Sequence, residues 1–143
     1  MRRPLAFSLA ATLTFGFAFA QDAKTPAPTE PPKVITGQCH CGQAKYTVAG
    51  NIAGQSYCDC KGCQKASGTL KTPFVTFSQK DFSTTGKIAT FRSDSGVKCD
   101  ANGTWHFCPT CGTHLFWKPH KGHTIDIFAG TLDDTSLFKP DEK

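Results

Sequence analysis

From Val34 onward, apolar and polar residues trade places every one or two positions, in short runs. "KVITGQC", "AKYTVAG", "PFVTFS", "IATFRS", "TWHFC", "HLFWK" and "TIDIFAG" are rich in β-branched and aromatic residues, and most are bounded by Gly, Pro, Asn or Asp. That alternation belongs to half-buried strands, whose successive side chains point to opposite faces. The best helix candidate runs from Lys61 to Ser67, about two turns, and Gly68 ends it. The long period-3.6 pattern of a helical protein is absent. The reading is a mainly β domain, either a sandwich or curled antiparallel sheets, with one short helix, spanning about residues 34–138. Trp105, Phe107, Phe116, Trp117 and Phe128 are read as core, with one of them free to line a pocket. Asp126, between Ile125 and Ile127, is read as facing outward.

The first 33 residues follow another pattern. Arg2 and Arg3 precede an apolar run from Leu5, and Ala18-Phe19-Ala20 fits a small-x-small cleavage site. Residues 1–20 are therefore expected to be a signal peptide, with an uncleaved membrane anchor as the alternative. The paired arginines also weakly resemble a twin-arginine export signal. Residues 21–33 contain four prolines and almost nothing apolar, which predicts a linker. The expected location is periplasmic or secreted, off the membrane once the signal is removed. Formal charge is +5; without Arg2 and Arg3, 14 basic side chains face 11 acidic ones, with no basic run. No nucleic-acid partner is expected from such a surface.

Eight cysteines in 143 residues change the picture. Such a density implies disulfides or metal. Cys108 and Cys111 stand in "FCPTCGTH", a knuckle turn in which Pro109 fixes φ and Gly112 can take positive φ. Cys39 and Cys41 in "GQCHCGQ" are natural donors to complete a closed four-cysteine zinc site. Cys58, Cys60 and Cys63 then remain as a second zinc set. Three protein ligands with one open position is the pattern of a catalytic zinc, and an incoming thiol could take that position. Lys61 and Lys65 add positive potential nearby. Disulfides compete with this reading in an exported chain. Yet pairs this close in sequence close tiny loops, which stabilise little, whereas structural zinc contributes about 10–16 kcal/mol in small peptides. Cys99 stands apart: it is a fourth ligand to the triple, a free thiol, or a partner for a cysteine outside the chain. His40 is read as a surface residue and His114 as structural. His106, His120 and His123 lack metal spacing.

The ordered set "GQCHCGQAKY", "CDCKGCQKASG", "FCPTCGTHLF" and "IFAGTLDD" resembles the glutathione-dependent formaldehyde-activating enzyme family, which includes centromere protein V. The resemblance covers roughly residues 35–135. It implies a small zinc-bound domain of curled β-sheets. It implies a structural zinc at Cys39, Cys41, Cys108 and Cys111, and a second zinc at Cys58, Cys60 and Cys63 where glutathione can supply the fourth sulfur. The implied partners are a small thiol such as glutathione and a small aldehyde, joined as S-hydroxymethylglutathione. The implied activity is that of a carbon–sulfur lyase. Gln64, and the stretch Gly103-Thr104-Trp105-His106, stand where such proteins often carry arginines. Two other functions remain open: an exported, non-catalytic zinc-stabilised binding module, and an exported disulfide protein without metal.

Overall fold

The computed structural model describes residues 33–93 and 102–140. The expected signal peptide, most of the linker and Cys99 lie outside the described residues.

Among the described residues, nine strands form two antiparallel sheets. The smaller has the order β1 (Val34–Gln38), β2 (Lys45–Ala49), β5 (Phe82–Thr85). The larger contains β3 (Gly54–Cys58), β4 (Thr72–Ser78), β6 (Ala89–Ser93), β7 (Gly103–Phe107), β8 (His114–Pro119) and β9 (Thr124–Phe128), in the order β3-β4-β9-β8-β7-β6. Among the described residues the one α-helix, α1, is Lys61–Ser67, with Gly68 at φ 71° as its left-handed cap. The mainly β reading and the short helix hold. Among the described residues, no helix is long and apolar enough to cross a membrane.

The alternating pattern sorts each strand's side chains between two faces. One face of the larger sheet carries Val75, Phe77, Ile125 and Ile127, all fully buried. Val75 sits opposite Ile127 and Phe77 opposite Ile125. This face packs with Ile35, Tyr46 and Val48 of the smaller sheet to form the main core. Burying an aliphatic side chain of this size stabilises the fold by about 1.5–3 kcal/mol. Gly37 fits beneath Tyr46: a Cβ there would lie 2.1 Å from the tyrosine oxygen. The Tyr46 hydroxyl pairs with Thr131 at 3.0 Å, fastening the C-terminal turn to the smaller sheet.

The opposite face of the larger sheet is less complete. Phe74, Trp105 and Phe128 form a second cluster with Cys63 of α1. That face also borders a cavity, lined in part by Thr76, Trp117 and Asp126. Two strands escaped the sequence pattern, β3 and β5. Both are polar edge strands, "GQSYC" and "FSTT", with no fully buried residue to set a period.

Candidate metal centres and an adjoining cavity

The first cluster arises where two hairpin loops meet. One joins β1 to β2 and bears Cys39 and Cys41; the other joins β7 to β8 and bears Cys108 and Cys111. The two loops are built alike. Cys39 N–H donates to the Ala44 carbonyl at 2.9 Å, and Cys108 N–H to that of Thr113 at 3.0 Å. Gly42 and Gly112 both take φ 74° and donate back to the carbonyls of Cys39 and Cys108. An L side chain is strained at that φ, which is why a glycine follows the second cysteine in each loop. Cross-links fix the two loops to each other. Thr110 donates to Gln43 at 2.7 Å, and the His40 N–H to the Thr113 hydroxyl at 3.2 Å.

The sulfurs fit a metal ion. All four are free thiols, and they lie within 4.8 Å of one another. Cys39 to Cys41 is 3.5 Å and Cys41 to Cys108 is 3.7 Å. Four thiolates at about 2.3 Å from zinc stand about 3.8 Å apart along a tetrahedron's edge, far beyond a disulfide's roughly 2.05 Å. Their proton affinities also diverge. The Thr113 hydroxyl, followed by the N–H groups of Thr113 and Cys41, pulls Cys111 down to about 5. The Gln43 N–H favours the Cys41 thiolate, but burial and the neighbouring sulfurs outweigh it and push Cys41 up to about 12. Crowded thiolates cannot all ionise without a cation, and a divalent ion removes that conflict. Cys39 and Cys108 are buried in the main core, so the cluster staples the smaller sheet to the larger.

The second cluster sits on the other face. Cys58 ends β3, Cys60 caps α1 by accepting the Cys63 N–H at 3.4 Å, and Cys63 lies in the helix's first turn. The three sulfurs lie within 4.8 Å of one another and could hold a metal ion. Cys60, however, is disulfide-bonded, while the other six described cysteines are free. That bond must be reduced before all three sulfurs can act as thiolates. The helix is tied down through Thr72, which is fully buried and donates to the Cys63 carbonyl at 3.1 Å. Ser67 donates to the same carbonyl at 2.8 Å and pairs with Thr72 at 2.7 Å.

Gln64 is engaged at both ends of its amide. Its nitrogen donates to the carbonyls of Asp59 and Leu70, at 2.9 and 3.1 Å, and its oxygen accepts from Lys61 at 3.0 Å. It braces the loop around α1 instead of facing a ligand.

A cavity of about 260 Å³ adjoins the second cluster. Ser56, Cys58, Cys63, Phe74 and Thr76 line it, together with Trp105, Trp117 and Asp126. Strand register explains the set: Thr76 sits opposite Asp126, Asp126 opposite Trp117, and Trp117 opposite Trp105. Residues directly opposite share a face, so these four form one row. Gly103 leaves room for the Trp117 ring, since a Cβ there would lie 2.1 Å from it. Trp117 Nε1 is buried without a hydrogen-bond partner, as is His114 Nδ1.

Asp126 corrects the sequence reading. It does point away from Ile125 and Ile127, but the face it occupies is a cavity wall and leaves it only half-exposed. Burial raises its pKa above the usual carboxylate value, and the 2.6 Å hydrogen bond from the Thr76 hydroxyl opposes that. Cross-strand pairing with Thr76 could not be read from the local pattern. His40 is exposed, and His114 stacks on Phe107, 5.5 Å between ring centroids, within the aromatic layer. Trp105, Phe116 and Phe128 are buried, while Trp105 and Trp117 also line the cavity.

Two antiparallel sheets, joined at a four-thiol cluster and carrying a three-cysteine cluster beside a cavity, define a β-domain with two sulfur clusters that could hold metal. The chain belongs to the glutathione-dependent formaldehyde-activating enzyme family, whose family model matches residues 34–143. It is 30% identical over 105 residues to a Talaromyces marneffei protein provisionally named a glutathione-dependent formaldehyde-activating enzyme, covering 68% of this chain and 53% of that one. A Pyrenophora teres protein of the same provisional name is 31% identical over 94 residues, covering 59% of this chain and 46% of that one. The chain thus spans about half the length of the curated relatives it matches. A crystal structure of a Rhodobacter sphaeroides protein shares the fold, with a TM-score of 0.56 at 17% identity over 73% of this chain and 96% of that one.

Proposed function

We propose that the protein is a zinc-dependent enzyme of the carbon–sulfur lyase type, making or breaking the adduct of a small thiol with a small aldehyde. Glutathione and formaldehyde are the substrates that the family's name suggests. One observation carries the reading: the three-cysteine cluster opens on a cavity, whereas the four-cysteine cluster is built into the core. Zinc held by Cys58, Cys60 and Cys63 would supply positive charge that favours the thiolate of an incoming thiol at neutral pH. Trp105, Trp117 and Phe74 would exclude water from the aldehyde carbon. A second zinc, held by Cys39, Cys41, Cys108 and Cys111, would be structural.

Export through the N-terminal signal, to the periplasm or the exterior, is part of the proposal and rests on the sequence of residues 1–20. The disulfide at Cys60 favours a second reading for the oxidised protein. In that state the chain is a zinc-stabilised binding module, held by the first cluster alone.

The test is metal analysis and turnover on the full chain, before and after reduction. Reduced, zinc-supplemented protein is expected to carry two zinc ions and to speed the formation of S-hydroxymethylglutathione. The oxidised protein is expected to carry one zinc and to be inactive. Reduced protein with two zinc ions and no effect on adduct formation, with glutathione or other small thiols, would leave the binding module as the surviving reading.

A further inference from the structure

The cavity holds a charge that the reaction above does not use. Of the described residues lining it, Asp126 alone carries a formal charge. Among the described residues its hydrogen-bond donor is the Thr76 hydroxyl, at 2.6 Å. A half-buried carboxylate facing aromatic walls, with no cation among the described residues of the lining, is costly, and such a group is commonly kept for a ligand. Burial raises its pKa, in keeping with that cost.

Its place in the sheet limits what it can do. Cys58 sits opposite Thr72, and Asp126 opposite Thr76, four residues further along the same strand. At about 3.3 Å per residue, these positions are about 13 Å apart along β4. Asp126 therefore stands at the far end of the cavity from the sulfurs, with Phe74 and Trp117 among the walls. A substrate whose sulfur lies beside Cys58 and Cys63 would present to Asp126 not its reacting carbon but a group several bonds away.

We propose that Asp126 is a specificity-determining residue whose carboxylate receives a protonated amine, carried by the thiol substrate several bonds from its sulfur. Glutathione, already proposed above as the thiol, carries such an amine, and the new element is the residue that reads it. Simple alkyl thiols lack the partner, and thiols whose far end carries an anionic group without an amine meet repulsion. The inference rests on the reading that the thiol occupies the Cys58–Cys63 cluster. The competing explanation is a cross-strand pair with Thr76 that serves only the sheet.

The experiment uses the reduced, zinc-loaded full chain and two probes, glutathione and its N-acetylated derivative, which keeps the thiol and loses the cationic amine. Binding is measured by calorimetry, and KM and kcat by adduct formation. The wild type is expected to prefer glutathione by about tenfold or more, the scale of a hydrogen bond between charged groups. Asp126→Asn is expected to abolish the preference by weakening glutathione alone, raising KM and sparing kcat. Thr76→Val removes the cross-strand bond, keeps the carboxylate, and is expected to retain the preference. If Asp126→Asn does not fold, Thr76→Val and the wild-type preference decide. Equal binding of the two probes by the wild type, equal loss of both in Asp126→Asn, or loss of preference in Thr76→Val overturns the proposal. A chain that prefers glutathione through Asp126 yet forms no adduct upholds it and overturns the enzyme reading instead. Binding of neither probe overturns both.

Discussion

At the scale of single residues, Asp126 and Gly103 make the sharpest predictions. Asp126 has its folded pKa raised above the ordinary 3.8, chiefly by burial. A raised folded pKa means that the group's contribution to stability is present below the unfolded value and is lost as pH rises through the folded one. The neutral isostere escapes that loss. Asp126→Asn is therefore expected to melt higher than the wild type at pH 7 and level with it near pH 3. Thermal melts across pH check this, and an Asn variant that melts lower at pH 7 counts against the desolvated carboxylate. Gly103→Ala places a methyl group where the Trp117 ring lies. Overpacking of this kind costs about 1–3 kcal/mol. A drop in denaturation midpoint, with altered tryptophan fluorescence, is the expected result.

At the scale of elements, α1 is held to β4 by one buried hydroxyl. Thr72→Val keeps the volume and deletes its hydrogen bonds to Cys63 and Ser67. Losing such a hydrogen bond costs about 0.5–1.5 kcal/mol. Hydrogen exchange is expected to quicken in α1 before it does in the core strands, and uniform protection would show that α1 does not depend on Thr72. Much of this level was legible beforehand. Lys61–Ser67 reads as a helix because Gly68 stops it, and seven of the nine strands announce themselves by alternation. β3 and β5 do not, because edge strands with polar faces carry no hydrophobic period. The 39/41/108/111 grouping was legible because each pair sits in a glycine-closed turn. The cavity was not: its row from Thr76 to Trp105 depends on the register of four strands, which no local run encodes.

At the scale of the whole molecule, the two cysteine clusters divide the labour by position. The first joins two sheets through loops 67 residues apart; the second joins one strand end to the helix beside it. Cys108→Ser is expected to lose the first metal and several kcal/mol of stability, and a chain of this size loses roughly 3–4 °C in melting temperature per kcal/mol. Cys58→Ser is expected to remain folded and to lose the second metal only. Equal collapse of the two variants would show that both clusters are structural.

The most direct test of the central claim is optical. The reduced chain is loaded with cobalt in place of zinc and titrated with glutathione, and the sulfur-to-cobalt charge-transfer absorption is followed. The account predicts a new band that saturates at one thiol per chain and is absent in Cys58→Ser. No spectral change in reduced protein carrying two cobalt ions would mean that the second cluster is closed to thiols, and would contradict the account.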